Sequence, residues 1–189
     1  MARPRSGVRV IAGTAKGRRL DTPPGLSTRP VTDRVKESVF GSLEPRLADA
    51  AVLDLYAGSG AMAIEALSRG AAEALLVERD GEAAALIDAN LERTGFGDAS
   101  AVVRSDVRSY LRRAPRRTFD VVFVDPPYAA PDAEVEEVLG VLAEGWLAPE
   151  AIVVIRRQRR SPQPALPEGL EFTRVRNYGD TVVLVAAAT

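Results

Sequence analysis

Five short apolar runs recur along the chain, each of the first four followed by a stretch with helical spacing, and this alternation constrains the fold more than any other feature. The runs occupy residues 52–55, 74–78, 100–104, 121–124 and 152–155, and the helical stretches between them 61–68, 81–94, 107–113 and 133–145. Strands that are apolar on both faces need helices covering both sides, which is the property of a parallel sheet in an α/β fold. Two further runs, 170–176 and 181–187, are joined only by Asn177-Tyr178-Gly179-Asp180. That link is too short for a crossover helix, so this pair must be antiparallel. Upstream, residues 8–12 and 18–22 flank a Gly13–Gly17 turn and predict a small β-hairpin. Thr32 or Asp33 can cap a helix with Val35, Val39, Leu43 and Leu47 on one face, ended near Glu44 by Pro45. The stretch 161–169, with three prolines, reads as a loop, and no internal repeat is evident.

The 189 residues suit one domain able to bury its own core. Cysteine and histidine are both absent. Disulfides, thiolate nucleophiles, imidazole bases and His- or Cys-built zinc sites are therefore excluded, and no metal is expected. No apolar run approaches the roughly 20 residues that span a bilayer. The basic start, Met1-Ala2-Arg3-Pro4-Arg5, lacks the apolar segment of a secretory signal, so a cytoplasmic location is expected. The net charge of -1 hides an asymmetry: residues 1–36 carry nine basic and two acidic side chains, an excess of +7. A basic segment on an otherwise acidic chain fits a local anionic partner, or equally a solvated arginine-rich tail.

Two segments carry chemistry. In Val52-Leu53-Asp54-Leu55-Tyr56-Ala57-Gly58-Ser59-Gly60, a strand runs into a glycine turn and a helix starts at once. Glycines let backbone approach a ligand closely, and the helix start offers free N–H groups. Asp54 argues against a pyrophosphate there, because the carboxylate would repel it. It suits a ligand carrying positive charge, such as the ammonium of a methionine moiety beside a sulfonium. Glu78 ends the next strand, where a carboxylate accepts from ribose hydroxyls. Asp106 could hold an adenine amine or simply cap the helix beginning at Val107.

The other segment is Val124-Asp125-Pro126-Pro127-Tyr128, at the end of the fourth run. The prolines stiffen the chain, and the Asp125 carboxylate and Pro126 carbonyl make two acceptors beside the aromatic face of Tyr128. That set suits a base with an exocyclic amine, a poor nucleophile whose developing positive charge two acceptors can relieve. Attack on a sulfonium methyl is then governed by positioning. A proline-stiffened strand exit with a buried tyrosine is the plainer reading of the same residues.

Together these segments resemble the class I S-adenosylmethionine-dependent methyltransferases, specifically the amino-methyltransferases, and more narrowly the RsmD family of bacterial 16S rRNA (guanine-N2)-methyltransferases. The resemblance covers nearly the whole chain. It is carried by Val10-Ile11-Ala12-Gly13 through Gly17-Arg18-Arg19-Leu20, Arg29-Pro30-Val31-Thr32-Asp33-Arg34-Val35-Lys36-Glu37-Ser38-Val39-Phe40, the glycine loop with Glu65-Ala66-Leu67-Ser68-Arg69-Gly70, Asp125-Pro126-Pro127-Tyr128 and Gly145-Trp146-Leu147. It implies a Rossmann-like seven-stranded sheet, mostly parallel with the last strand antiparallel, over residues 31–189, and a basic hairpin extension over 1–30. It implies that Asp54, Tyr56, Gly58, Ser59, Gly60, Glu78, Arg79, Asp106 and Val107 surround S-adenosylmethionine, and that Asp125, Pro126 and Tyr128 hold the guanine amine. The implied partner is 16S rRNA in the small ribosomal subunit or its assembly intermediate, with Arg9, Lys16, Arg18, Arg19, Arg29 and Arg34 as RNA contacts. Arg156, Arg157, Arg159 and Arg160 form a further basic cluster, read as phosphate contacts or as a solvated loop. A monomer is expected, since no spare apolar stripe is evident.

Three other readings remain open at this point. A nucleotide-dependent oxidoreductase would use the glycine loop but has no role for 125–128. A non-catalytic RNA-binding or assembly module would not need Asp125. An amino-methyltransferase of DNA adenine or protein glutamine would use the same tetrapeptide.

Overall fold

The computed structural model describes residues 8–24 and 32–189. Its centre is a seven-stranded sheet built from β3 (Ala51–Leu55), β4 (Glu73–Glu78), β5 (Ser100–Arg104), β6 (Phe119–Val124), β7 (Leu147–Gln158), β8 (Leu170–Tyr178) and β9 (Thr181–Ala188). A separate two-stranded hairpin, β1 (Val8–Arg9) and β2 (Arg19–Leu20), precedes it. The helices are α1 (Asp33–Leu43), α2 (Ala61–Ser68), α3 (Gly81–Thr94), α4 (Val107–Leu111) and α5 (Asp132–Ala143).

The strand order is β5-β4-β3-β6-β7-β9-β8. The first five strands pair in parallel, while β9 is antiparallel to both of its neighbours. It therefore runs against the rest of the sheet, as expected for the last strand. The chain proceeds outward from β3 through β4 to β5, then returns to place β6 on the other side of β3. This reversal is the topological switch point, and in open α/β sheets ligands bind outside the carboxyl ends of the strands there. The glycine loop follows β3 and the Asp-Pro-Pro-Tyr segment follows β6, so both lie at that crevice.

Neighbouring residues of each central strand feed two cores. Val52, Val121 and Phe123 pack on one face with Ile64 of α2 and Ile87 of α3; Leu53, Leu55, Val122 and Val124 pack on the other with Val135 and Leu139 of α5. Thr32 supplies the cap of α1, its Oγ accepting from Val35 N at 3.4 Å. The predicted apolar face of α1 is buried, and Pro45 falls in a 3-10 turn just beyond the helix. Phe40 meets Phe123 with ring centroids 5.7 Å apart.

Several boundaries differ from expectation, and β7 begins five residues early, at Leu147. The hairpin strands are shorter, because a turn with its own backbone hydrogen bonds occupies 13–17. Helix α4 stops at Leu111 rather than Arg113. Strand β8 continues to Tyr178, paired with Thr181 of β9. Strand β7 extends past Ile155 to Gln158, because β9 keeps pairing as far as Arg156, Arg157 and Gln158.

The hairpin is part of the packed body. Val8, Val10, Ala15 and Leu20 are buried in the same core as α1 and α2. Glu65 of α2, fully buried, accepts from Ile11 N (2.8 Å), Ala12 N (3.0 Å), Lys36 Nζ (3.2 Å) and Arg69 Nε (2.9 Å). Lys36 also donates to the Arg9 carbonyl. Gly13 has φ +82°, and a Cβ there would come within 1.7 Å of the Ser68 carbonyl oxygen, so only glycine permits this docking. No helix among the described residues is long and apolar enough to cross a membrane.

Candidate active site

The glycine loop is held from both sides. Gly58 (φ +60°) and Gly60 (φ +74°) adopt left-handed backbone, and Gly60 caps α2. The Glu78 carboxylate accepts from Gly58 N and from Asp80 N, both at 2.9 Å, tying the end of β4 to the loop. The buried amide of Asn90 on α3 donates to the Ser59 carbonyl (3.0 Å) and exchanges two 2.9 Å hydrogen bonds with the Asp21 backbone. Asp21 follows the hairpin, so Asn90 bridges that extension to the glycine loop.

Asp54 is buried at the carboxyl end of β3 and accepts from Ala63 N of α2 at 3.2 Å. Burial raises its pKa well above the ordinary 3.8, and the nearby charges of Asp125 and Glu78 push the same way. A carboxylate so placed favours a ligand that brings positive charge.

Tyr56 has φ +61° and donates its hydroxyl to Glu134 of α5 at 3.1 Å; burial, then Glu134, holds its pKa far above the ordinary value. Arg79 is exposed beyond β4. Asp106 caps α4, accepting from Ser109 N at 3.0 Å, and Val107 is buried beneath it. The structure thus brings Asp54, Gly58, Ser59, Gly60 and Glu78 to one rim of the crevice, with Asp106 and Val107 at the end of β5 on the same sheet edge. The Tyr56 hydroxyl is directed to α5 instead.

Asp125 leaves β6 beside the glycine loop's strand, its N–H donating to the Leu55 carbonyl at 3.4 Å. Pro126 is buried, and its carbonyl accepts no hydrogen bond from the described residues. The next turn closes on Ala130 N donating to the Pro127 carbonyl at 2.9 Å. Tyr128 is 43% exposed rather than buried, against the plainer reading of this segment. A small apolar cleft lined by Val35, Val39, Met62 and Phe123 opens beside Asp125.

Sequence reading missed the partner of Asp125. Arg156 of β7 donates Nε to Oδ1 at 2.7 Å and Nη2 to Oδ2, a bidentate pair. Arg157, on the opposite face of β7, donates Nη2 to Asp132 at 2.6 Å. Both arginines lie within the strand and are ion-paired, so neither the phosphate-contact nor the solvated-loop reading holds for them. Arg159 and Arg160 lie exposed beyond the strand end. The available signal was two arginines ending an apolar run in a chain with acidic residues on both sides of Asp-Pro-Pro-Tyr.

Of the hairpin cations, Lys16, Arg18 and Arg19 are exposed, as is Arg34. Arg9 pairs with Asp33 at 2.8 Å, and Arg18 donates to the Arg93 carbonyl. Lys36 is wholly buried, so it does not contribute to the basic surface. Arg29 lies outside the described residues.

The family model described as Conserved hypothetical protein 95 matches residues 8–187. The chain is 38% identical over 174 residues to the Ribosomal RNA small subunit methyltransferase D of Escherichia coli K12, covering 91% of this chain and 85% of that protein. It is 36% identical over 181 residues to YlbH of Bacillus subtilis, covering 94% and 97%. The solved structure of yhhF from Escherichia coli superposes with a TM-score of 0.87 at 34% identity, covering 96% of this chain and 97% of that one. The buried carboxylate, the glycine crevice and the Asp-Pro-Pro-Tyr exit thus sit on a fold shared end to end with these relatives, and the chain belongs to the Conserved hypothetical protein 95 family.

Proposed function

We propose that this protein transfers the methyl group of S-adenosylmethionine to the exocyclic N2 amine of a guanine in 16S rRNA of the small ribosomal subunit or its assembly intermediate. The observation that carries the reading is the convergence, at one switch point, of a buried carboxylate under a glycine loop with two acceptors and an exposed aromatic face. The name of the Escherichia coli relative supports ribosomal RNA of the small subunit as substrate.

S-adenosylmethionine, when bound, supplies an electrophilic methyl on a sulfonium. Asp54 fits its cationic end, since positive charge there would relieve an anion whose ionisation burial disfavours. Glu78 holds the glycine loop and keeps lone pairs for ribose hydroxyls. Asp106 and Val107 border the adenine side, with Arg79 and Tyr56 at the margins. Asp125 and the Pro126 carbonyl accept the hydrogens of the guanine amine, orient its nitrogen towards the methyl and offset the positive charge that grows there. Tyr128 offers a stacking face to an unpaired base, a contact type worth roughly 1–3 kcal/mol. The exposed cations Arg9, Lys16, Arg18, Arg19 and Arg34, with Arg29, supply phosphate contacts from the 1–30 extension and the start of the 31–189 domain. The protein works as a cytoplasmic monomer without a metal.

The test is transfer of tritiated methyl to small subunits from cells lacking the gene, with wild-type subunits and naked DNA as controls and the product digested to nucleosides. Label appearing as N2-methylguanosine only in the deficient subunits is expected. Label on DNA adenine, or none on subunits from either source, would overturn the substrate assignment.

A further inference from the structure

The loop between β6 and α5 begins at Asp125 and leads into Asp132, the first residue of α5, and two consecutive residues of a neighbouring strand hold these two points. Arg156 grips Asp125 in the bidentate geometry that fixes a carboxylate in both position and plane. Arg157, buried on the other face of β7, grips Asp132 at 2.6 Å. Alternation along a strand is what sends adjacent side chains to opposite faces, one to each end of the loop. Between the anchored ends lie Pro126, Pro127 and Pro131, which have no N–H and one soft backbone dihedral fewer each. The prolines cannot donate to a backbone hydrogen bond, and the loop makes one turn of its own, closed by Ala130 N on the Pro127 carbonyl.

We propose that Arg156 and Arg157 form a two-point clamp that positions this loop for catalysis, Arg156 acting through Asp125 and Arg157 through Asp132. The clamp rests on the function proposed above and identifies positioning residues for it. Each Asp125 oxygen takes one bond from Arg156 and keeps a lone pair for the incoming amine. Arg156 fixes where those lone pairs point. Arg157 sets the path of the chain after Tyr128, and so the height of the aromatic face. Both arginines lie beyond the regular apolar part of β7, in the stretch where only β9 pairs with the strand.

The experiment combines amide hydrogen exchange over residues 125–132 with steady-state methyl transfer to small subunits, for R156M, R156K, R157M, D132N and D125A, singly and with R156M added to D125A. Expected is faster exchange at Tyr128, Ala129 and Ala130 in R156M, R157M and D132N, with the amides of β3 to β5 unchanged. Displacement of a reacting group by about 1 Å costs on the order of 100-fold, so kcat should fall roughly 10- to 100-fold in R156M with S-adenosylmethionine affinity kept within about twofold. R156K should recover part of the loss. In the D125A background, R156M should have no further effect on kcat, because it acts through the missing carboxylate. Unchanged loop exchange in R156M and R157M overturns the clamp. So does a full additional kcat loss in the double variant, which would put Arg156 on the substrate or in the general fold. D132N keeps the shape of the residue, so its result stands even if R157M fails to fold. Loosened loops in variants of a protein whose wild type labels no subunits would uphold the clamp and reject the substrate.

Discussion

Replacing Glu65 by alanine should be among the most damaging single changes in the protein, although Glu65 touches neither the glycine loop nor Asp125. Its buried carboxylate accepts from Lys36, Arg69 and the N–H groups of Ile11 and Ala12. Alanine leaves the Lys36 ammonium buried with only the Arg9 carbonyl, and breaking a buried ion pair from one side costs about 3–5 kcal/mol. Each stranded backbone N–H adds about 1–3 kcal/mol unless it reaches water. The expected loss is at least about 5 kcal/mol, comparable with the whole stability of many domains. Undocking of residues 8–24 is the available relief. The asymmetric control is Lys36→Met, which leaves Glu65 with Arg69 and both N–H donors and should cost about 1–3 kcal/mol. Burial already lowers the Lys36 pKa, and loss of Glu65 lowers it further. The unfolded chain then binds more protons than the folded one between that lowered value and 10.5, so the stability of Glu65→Ala should rise with pH across this window. Urea unfolding followed by the fluorescence of buried Trp146, with limited proteolysis of the hairpin, measures both effects. A Glu65→Ala variant within about 1 kcal/mol of wild type, or a Lys36→Met variant that is the worse of the two, would refute this reasoning.

Asp54→Asn should raise the melting temperature of the ligand-free protein while weakening S-adenosylmethionine binding. Because the folded pKa of Asp54 is raised, stability falls as pH climbs from 3.8 through that value, so the gain from asparagine should be larger at pH 8 than at pH 5; a gain independent of pH would count against it. Asp125→Ala should cut turnover severely and leave cofactor affinity intact, whereas Glu78→Ala should weaken cofactor binding and loosen the loop at Gly58; calorimetry showing equal affinity in both variants would sink the role assignment. Arg19→Ala should weaken binding to rRNA with little dependence on sequence and reduce the slope of log affinity against log salt by about 1, as expected for one phosphate contact. An unchanged slope would remove Arg19 from the interface.

What the sequence makes legible here is whatever depends on near neighbours. The Thr32 cap, α2, α3 and β5 fall at the residues expected, because each depends on periodicity, a cap or a glycine a few positions away. The parallel sheet follows from the alternation of strands and helices, but the strand order that creates the switch point does not. The contacts that organise the site are of another kind. Arg156 meets Asp125 across 31 residues, Glu65 meets Ile11 across 54, and Asn90 meets Asp21 across 69. No local pattern encodes such pairs, and an arginine at a strand end looks the same whether it faces solvent or a carboxylate. Lys36 is the sharpest case: counted with the basic excess in the sequence, it is wholly buried in the fold.

The place of β9 bears on when the protein can begin to work. Synthesised after the other six strands of the sheet, β9 slots between β7 and β8. Until it emerges, the outer edge of β7 presents an open row of N–H and C=O groups, the kind of edge that recruits foreign strands. Arg156 and Arg157 pair in register with Val183 and Val182 of β9, so the segment that presents both arginines to the loop is completed only at that point. A nascent chain stalled before Thr181 would carry the glycine crevice and Asp125 without the fixed geometry around them. The order of synthesis thus acts as an interlock: the crevice can form early, but the acceptor geometry at Asp125 is set last.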